Sequence, residues 1–183
     1  HATVKTMETI VLPDVPEFRE DFASYLGEIQ AFDAQVGVLV KQVEEAGQLD
    51  NTVIFFTSDN GACAEWDPYG FDKSSGPQNT LHTGDALATM GQPGTYHSYG
   101  SAWANTGNTP WRLYKHYNHE GGITSPLIVH WPAAIKRRNA IDATPGHIID
   151  FMATCVDLAG ATYPASMPPM EGRSLVPAFH GKR

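Results

Sequence analysis

The chain has 183 residues, of which 42% are hydrophobic and 17% charged. This composition is typical of a folded globular domain and excludes a wholly disordered chain. The net charge of −8 argues against a nucleic-acid or anionic-membrane partner, because such partners bind clustered cations. No stretch approaches the ~20 apolar residues that a membrane span requires. The two cysteines give no disulfide framework.

A long amphipathic helix is the first predicted element. Residues 1–16 are expected to form an extended lead-in, because Pro13 and Pro16 oppose a helix. Over 17–46 apolar residues recur every three or four positions, which predicts a helix with one apolar face. Gly47 is a natural stop. The members of the stripe are Phe18, Phe22, Leu26, Ile29, Phe32, Val36, Leu39, Val43 and Ala46.

A short apolar strand follows, and it ends on two residues that carry side-chain oxygens. The strand is predicted over 52–57, and Asp59, Asn60 and Gly61 come directly after it. Open α/β sheets bind ligands at the carboxyl ends of their strands, and Asp and Asn oxygens suit calcium or magnesium better than zinc. Asn-Gly is also a turn signal, so a plain turn is the alternative interpretation.

The rest of the chain contains one long excursion, a second strand and a second helix. Residues 62–109 lack periodicity but are rich in aromatic side chains, which predicts an ordered loop. A strand is predicted over 127–131 and a helix over 147–159, with Gly160 as its stop. One face of that helix is expected to bury Ile148, Phe151, Met152, Cys155 and Leu158. A helix, a short turn and an apolar strand together predict an α/β fold with helices packed on a mixed, mostly parallel sheet.

Several motifs in fixed order give the chain a family resemblance. Asp59-Asn60-Gly61 is followed by the block 110–123, which contains Lys115 and Glu120-Gly121-Gly122. Further blocks lie at 26–37, 126–132, 146–152 and 171–175. In this order they resemble the type I sulfatases, the arylsulfatase branch of the alkaline-phosphatase-like superfamily. The resemblance covers roughly residues 12–179, and it implies a partial fold of that superfamily.

The resemblance also implies that part of the family's catalytic domain lies outside this chain. The family's nucleophile motif, Cys-or-Ser-x-Pro-x-Arg, whose first residue becomes formylglycine, is not found around Cys63 or Cys155. Residues 1–165 are therefore expected to be the carboxyl-terminal half of a sulfatase catalytic domain, and 166–183 the lead-in to a small carboxyl-terminal subdomain. The formylglycine is expected in the amino-terminal half, which would be the partner of this half. The chain alone is expected to be inactive.

The resemblance assigns roles to three residues, and two histidines are further candidates for the site. Asp59 and Asn60 match two metal ligands, with Ca²⁺ as the expected ion and Mg²⁺ as a possible one. Lys115 matches the family's sulfate-binding catalytic lysine. His97 and His119 are candidates for the wall of the substrate pocket. The histidine spacing fits no compact zinc motif. Many relatives carry an arginine after Glu-Gly-Gly-Ile, where this chain has a threonine.

The resulting functional hypothesis is a sulfuric-ester hydrolase of the arylsulfatase type, acting on a sulfated small molecule or glycan in the periplasm or outside the cell. A phosphonate or phosphodiester hydrolase of the same superfamily is one alternative, although such relatives more often have histidine where this chain has Asn60. The other alternative is a non-catalytic module that binds sulfated glycans.

Overall fold

The computed structural model describes residues 16–65, 72, 84–98 and 100–182. The predicted lead-in therefore lies almost entirely outside the described residues, as does much of the predicted loop. In chain order the elements are α1 (Pro16–Glu45), a 3₁₀ turn (Leu49–Asn51), β1 (Ile54–Thr57), a second 3₁₀ turn (Gly84–Thr89), α2 (Gly100–Gly107), α3 (Glu120–Ile123), β2 (Leu127–His130), α4 (Asp150–Ala159) and α5 (Val176–Phe179).

Helix α1 confirms the predicted amphipathic helix, but its apolar face stays accessible to solvent. The helix has 30 residues and ends just before Gly47, which has a φ of 67°. Four side chains of the stripe, Leu26, Ile29, Phe32 and Leu39, are 36% to 62% exposed, whereas Val36 and Val43 are half-buried. At ~1.5 Å per residue the helix is about 45 Å long, whereas a four-residue strand is about 13 Å long. The helix is therefore more than three times as long as either described strand.

The described strands form a two-stranded antiparallel sheet. Ile54 pairs with His130 and Thr57 with Leu127. These two strands do not show the mostly parallel sheet, so that part of the fold stays a prediction. Phe56 is 42% exposed, although an apolar run of this kind favours a buried strand. A two-stranded sheet covers few of its own side chains, and this explains the exposure.

The chain divides into two compact units. One comprises the described parts of His1–Val38 and Asn60–Pro126, and the other comprises Leu39–Asp59 and Leu127–Arg183. The boundary falls between Asp59 and Asn60, the two predicted metal ligands. The first unit has a small core that includes Ala64, Met90, Trp103 and Ala104. Buried Asp72 bridges His97 through the backbone and accepts a hydrogen bond from Tyr96 N at 2.8 Å.

The core of the second unit is built on three phenylalanines. Phe55 of β1 stacks on Phe151 of α4 with ring centroids 5.3 Å apart, and Phe179 of α5 lies 6.1 Å from Phe55. These contacts hold α4 and α5 to the sheet within this unit. Each aromatic contact of this kind adds about 0.5–1.5 kcal/mol to the contribution of buried area.

The buried face of α4 differs from the one that the sequence predicts. Cys155, expected to be buried, is exposed, and so is Met152. Ala153 and Thr154 are buried instead. The reason lies in the polar contacts of the tail: the Thr154 hydroxyl donates to Asp150 O at 2.7 Å and accepts from Leu175 N at 2.9 Å. These bonds turn the small side chains of α4 toward the tail.

A carboxylate at the start of α4 completes this packing. Asp150 accepts hydrogen bonds from His147 N and Arg173 N, each at 2.8 Å. The bond from Arg173 N–H, with that from His147 N–H, lowers the pKa of Asp150. Gly172 lies so close that a Cβ there would overlap the carbonyl of Ile149. The helix ends at Gly160, whose φ of 57° confirms the predicted glycine stop.

Candidate functional site

The predicted metal ligands follow β1 directly. The strand ends at Thr57, and Asp59 and Asn60 come two and three residues later. Asp59 is exposed and Asn60 is half-buried. Their placement at the carboxyl end of a strand agrees with the sequence analysis. Their roles as ligands stay a prediction.

Two segments of the first unit lie against each other next to Asn60. We call residues 60–65 the Asn60 segment and residues 111–122 the Lys115 loop. Gly61 N donates to Gly122 O at 3.0 Å, and Lys115 N donates to Ala62 O at 2.9 Å. These two backbone bonds fix the register between the segment that carries the predicted ligand and the loop that carries the predicted lysine.

Glycine is required on both sides of this contact. A Cβ on Gly61 would overlap the carbonyl oxygen of Gly121, and one on Gly121 would overlap the carbonyls of Arg112 and Leu113. A Cβ on Gly122 would overlap the carbonyl of Tyr117. The Glu-Gly-Gly motif therefore lets the backbone of the Lys115 loop fold tightly on itself and on Gly61, as the close-approach role of glycine predicts.

The backbone around Lys115 has an unusual conformation. Leu113 has a φ of 65° and His116 a φ of 83°, which are left-handed values that non-glycine residues rarely adopt. They lie on either side of Lys115, which is half-buried. Such residues cluster at functional sites, where surrounding bonds hold them in place. These two residues flank the lysine for which the family resemblance predicts a role.

Asparagine side chains hold Leu113 in this conformation. Asn105 Oδ1 accepts from Leu113 N at 2.8 Å, and Asn108 Nδ2 donates to Leu113 O at 2.9 Å. Asn108 Oδ1 also accepts from Ala62 N at 3.1 Å. Sequence reasoning missed both asparagines. The signal available was two asparagines three residues apart just before the Pro110-Trp111-Arg112 motif.

The far end of the Lys115 loop begins α3. His119 precedes this helix with extended backbone, and its carbonyl accepts hydrogen bonds from Gly122 N and Ile123 N. The Thr124 hydroxyl donates a hydrogen bond to the Glu120 carboxylate. Thr124 N also donates to Glu120 O at 2.8 Å. Glu120 therefore orders the turn at this end of the loop.

Aromatic rings line part of the Lys115 loop. Tyr114 and Tyr117 meet edge to face with centroids 5.1 Å apart, and Tyr117 meets the His119 ring at 6.3 Å. Burial, followed by the hydrogen bond with Tyr117, raises the pKa of Tyr114, so this phenol stays neutral at physiological pH. These rings lie on the same loop as Lys115.

Cys63 lies in the Asn60 segment but is not an activated thiolate. Its Sγ donates to Glu65 Oε1 at 2.7 Å. Burial and the Glu65 carboxylate raise the pKa of the Cys63 thiol, although Lys115 acts in the opposite direction. The thiol is therefore protonated at neutral pH, and a protonated thiol is a poor nucleophile.

The second predicted histidine lies in a separate segment of the first unit. His97 is half-buried and pairs through its backbone with Asp72. His119, in contrast, belongs to the Lys115 loop. The structure therefore brings Asn60, Lys115 and His119 into two adjoining segments, and it places His97 on a third.

The donor set fits a hard cation but supplies only part of a coordination shell. Asp59 and Asn60 offer carboxylate and amide oxygens, the ligands that Ca²⁺ and Mg²⁺ prefer, whereas Ca²⁺ takes about six to eight. Among the described residues, no group of three or more His, Cys, Asp or Glu side chains could hold a metal ion. Further ligands would have to come from elsewhere.

Comparison with known proteins identifies the family of the chain. The sulfatase family model matches residues 4–161. An arylsulfatase of Klebsiella aerogenes is 32% identical over 137 residues, or 74% of this chain. An uncharacterized sulfatase of Schizosaccharomyces pombe is 30% identical over 83% of the chain, and the human steryl-sulfatase is 29% identical over 84%.

The chain belongs to the sulfatase family, because the family model covers most of its length. It spans only 29%, 27% and 21% of the lengths of those three relatives. In the part of the chain that the structure describes, no helix is both long and apolar enough to cross a membrane.

Proposed function

We propose that the whole protein hydrolyses sulfate esters, and that this chain contributes Lys115, Asp59 and Asn60 to its active site. The observation that carries the proposal is the glycine-dependent contact between the Asn60 segment and the Lys115 loop. This contact connects Asn60, a predicted metal ligand, with the half-buried Lys115 through backbone hydrogen bonds. The connected backbone includes two residues with left-handed φ values, Leu113 and His116. Sulfatase relatives at about one-third identity support the reaction class.

Lys115 would bind the sulfuryl group. Cleavage of a sulfate ester places negative charge on the sulfuryl oxygens and on the departing oxygen, and a fixed cation at close range stabilises this charge. The lysine ammonium is a compact charge with three donors, suited to a tetrahedral oxyanion. Because backbone hydrogen bonds already fix the Lys115 loop, the loop would need little further ordering when the ester is cleaved.

Asp59 and Asn60 would hold the metal ion, with Ca²⁺ as the proposed ion. Bound there, the ion would supply Lewis-acid stabilisation of sulfuryl oxygen charge. The remaining ligands and the formylglycine nucleophile are proposed to lie in the amino-terminal half of the catalytic domain. On this proposal residues 1–165 belong to that domain, 166–183 lead into a small subdomain, and β1 and β2 belong to a larger, mostly parallel sheet.

The substrate would be a sulfated small molecule or glycan. The edge-to-face cluster of Tyr114, Tyr117 and His119 suits contact with an aryl or sugar ring. We favour His119 over His97 for the wall of the pocket, because it lies on the same loop as Lys115. A periplasmic or secreted location is proposed with this function.

Assays on the whole protein would test the proposal against its two alternatives. We expect calcium-dependent turnover of 4-nitrophenyl sulfate that exceeds turnover of phenylphosphonate monoesters and bis(4-nitrophenyl) phosphate. Preferred turnover of the phosphorus substrates would favour the phosphodiesterase alternative. Binding of heparin without any turnover would favour the glycan-binding module.

Calorimetry would test the metal assignment separately. We expect the 183-residue chain alone to bind Ca²⁺ weakly or not at all, because it supplies only part of the shell. The whole protein should bind Ca²⁺ tightly and lose this binding on Asp59→Ala. Tight binding by the isolated chain would contradict the assignment, since a complete site would then exist within it.

A further inference from the structure

The Asn108 side chain bridges the two segments of the candidate site. Its Oδ1 accepts from Ala62 N at 3.1 Å, and its Nδ2 donates to Leu113 O at 2.9 Å. A backbone N–H can only donate and a carbonyl can only accept, so the orientation of the amide group is determined. An aspartate could not replace it, because a carboxylate has no donor for Leu113 O.

The two bonded peptide groups lie close in sequence to the predicted site residues. Ala62 is two residues after Asn60, and Leu113 is two residues before Lys115. Ala62 O accepts in turn from Lys115 N at 2.9 Å. The Asn108 amide, Ala62 and the Lys115 backbone therefore form one hydrogen-bonded connection between the segments.

Asn108 also holds the strained residue of the loop. Leu113 has a φ of 65°, which is unfavourable for a side chain with a Cβ. Its N–H bonds to Asn105 and its carbonyl to Asn108. Asn105 lies in α2 and bonds only the loop in this way, whereas Asn108 bonds both the loop and the Asn60 segment. Without Asn108, we expect the loop to relax toward ordinary backbone angles and Lys115 to shift.

We propose that Asn108 is a positioning residue for sulfate-ester cleavage, which fixes Lys115 relative to the Asn60 segment. The inference rests on the proposed function, because it assigns to Asn108 an effect exerted through Lys115. Asn108 itself need not touch substrate. Its side chain is half-buried, and both of its bonds go to backbone groups.

A double-mutant cycle in the whole protein tests this role with 4-nitrophenyl sulfate. Asn108→Ala should lower kcat by about 10- to 100-fold, the scale for slight misplacement of a catalytic group, while KM changes less than about 2-fold. Asn108→Asp should not rescue kcat, because it restores only the bond from Ala62 N. In a Lys115→Ala background, Asn108→Ala should change the residual rate by less than about 2-fold, because coupled residues are not additive.

Hydrogen exchange provides a readout that needs no turnover. Asn108→Ala should speed exchange of the Ala62 and Lys115 amides by about 10-fold or more, since both depend on the connection. The Leu158 amide in α4 is the control and should keep its rate. Unchanged exchange at Ala62 and Lys115 would overturn the inference.

The two measurements separate failure of the inference from failure of the proposed function. If Lys115→Ala lowers kcat but the loss from Asn108→Ala is undiminished in that background, only the positioning role is overturned. If Lys115→Ala leaves kcat unchanged, the proposed function of Lys115 fails, and the role of Asn108 in cleavage fails with it. Faster exchange in Asn108→Ala would then support only the structural connection.

Discussion

A methyl group on Gly61 would overlap the carbonyl oxygen of Gly121, so the backbones of the Asn60 segment and the Lys115 loop lie in close contact at this point. Gly61 N also donates to Gly122 O at 3.0 Å, so the contact is bonded as well as tight. Backbone atoms cannot rotate away as side chains can. The register between the two segments therefore requires glycine, which has no side chain, at position 61.

Gly61→Ala should therefore destabilise the first unit strongly. We expect a loss of at least about 3 kcal/mol in the free energy of unfolding, the upper range for overpacking, measured by urea denaturation. Gly37→Ala is the matched control: Gly37 lies within α1 with open space around its Cα, and alanine there should add about 0.5–1 kcal/mol. Equal stability of Gly61→Ala and the parent would contradict the close contact.

Lys115→Ala should lower kcat of the whole protein by about two to three orders of magnitude, the scale for loss of one preorganised charge stabiliser. Lys115→Arg should restore little, because a planar guanidinium does not reproduce a compact ammonium. His116→Ala perturbs the next position of the same loop and should cost much less. Similar losses from Lys115→Ala and His116→Ala would indicate local folding damage and would remove the catalytic role.

Thr154→Val should destabilise the second unit, because it removes the hydroxyl that accepts from Leu175 N. A buried N–H without an acceptor costs about 1–3 kcal/mol. Thr154→Ser keeps the hydroxyl and loses one methyl group, so it should be the milder change. Hydrogen exchange at the Leu175 amide should rise in Thr154→Val and stay slow in Thr154→Ser, and the reverse order would refute the assigned bond.

Asp150 should make the stability of the chain sensitive to acid. The hydrogen bond from Arg173 N–H, supported by that from His147 N–H, holds the pKa of Asp150 below its ordinary value. A lowered folded-state pKa means that the stabilisation is complete above the unfolded pKa of about 3.9 and is lost as pH falls through the folded value. Asp150→Asn should flatten the decline in unfolding free energy below about pH 4. If the unfolding free energy falls equally steeply with decreasing pH in the parent protein and in Asp150→Asn, Asp150 does not have this role.

Local sequence patterns predicted the elements that position the site. The bounds of α1 agree with the predicted 17–46 to within one residue at each end, and Gly160 ends α4 as expected. The strand predicted over 52–57 begins at Ile54 and ends at Thr57. Periodicity and glycine signals act over a few residues, which is why they identify helices, strands and their ends.

Long-range contacts could not be predicted in this way. The apolar pattern of α4 favours burial of Cys155, yet hydrogen bonds from the tail to Thr154 and Asp150 turn another face inward. The bridge through Asn108 likewise joins residues 46 positions apart in sequence. Contacts of this kind hold Leu113 in its left-handed conformation. The residue type gives no sign of this conformation, because leucine rarely adopts it.

The two cysteines, one in each unit, differ in their exposure to solvent. Cys155 is exposed on α4, whereas Cys63 is half-buried and its thiol is held protonated beside Glu65. Since maleimides react with accessible thiolates, a fluorescent maleimide should label Cys155 first, without any substitution. The natural sequence thus already carries an attachment point for following the unfolding of α4 by fluorescence.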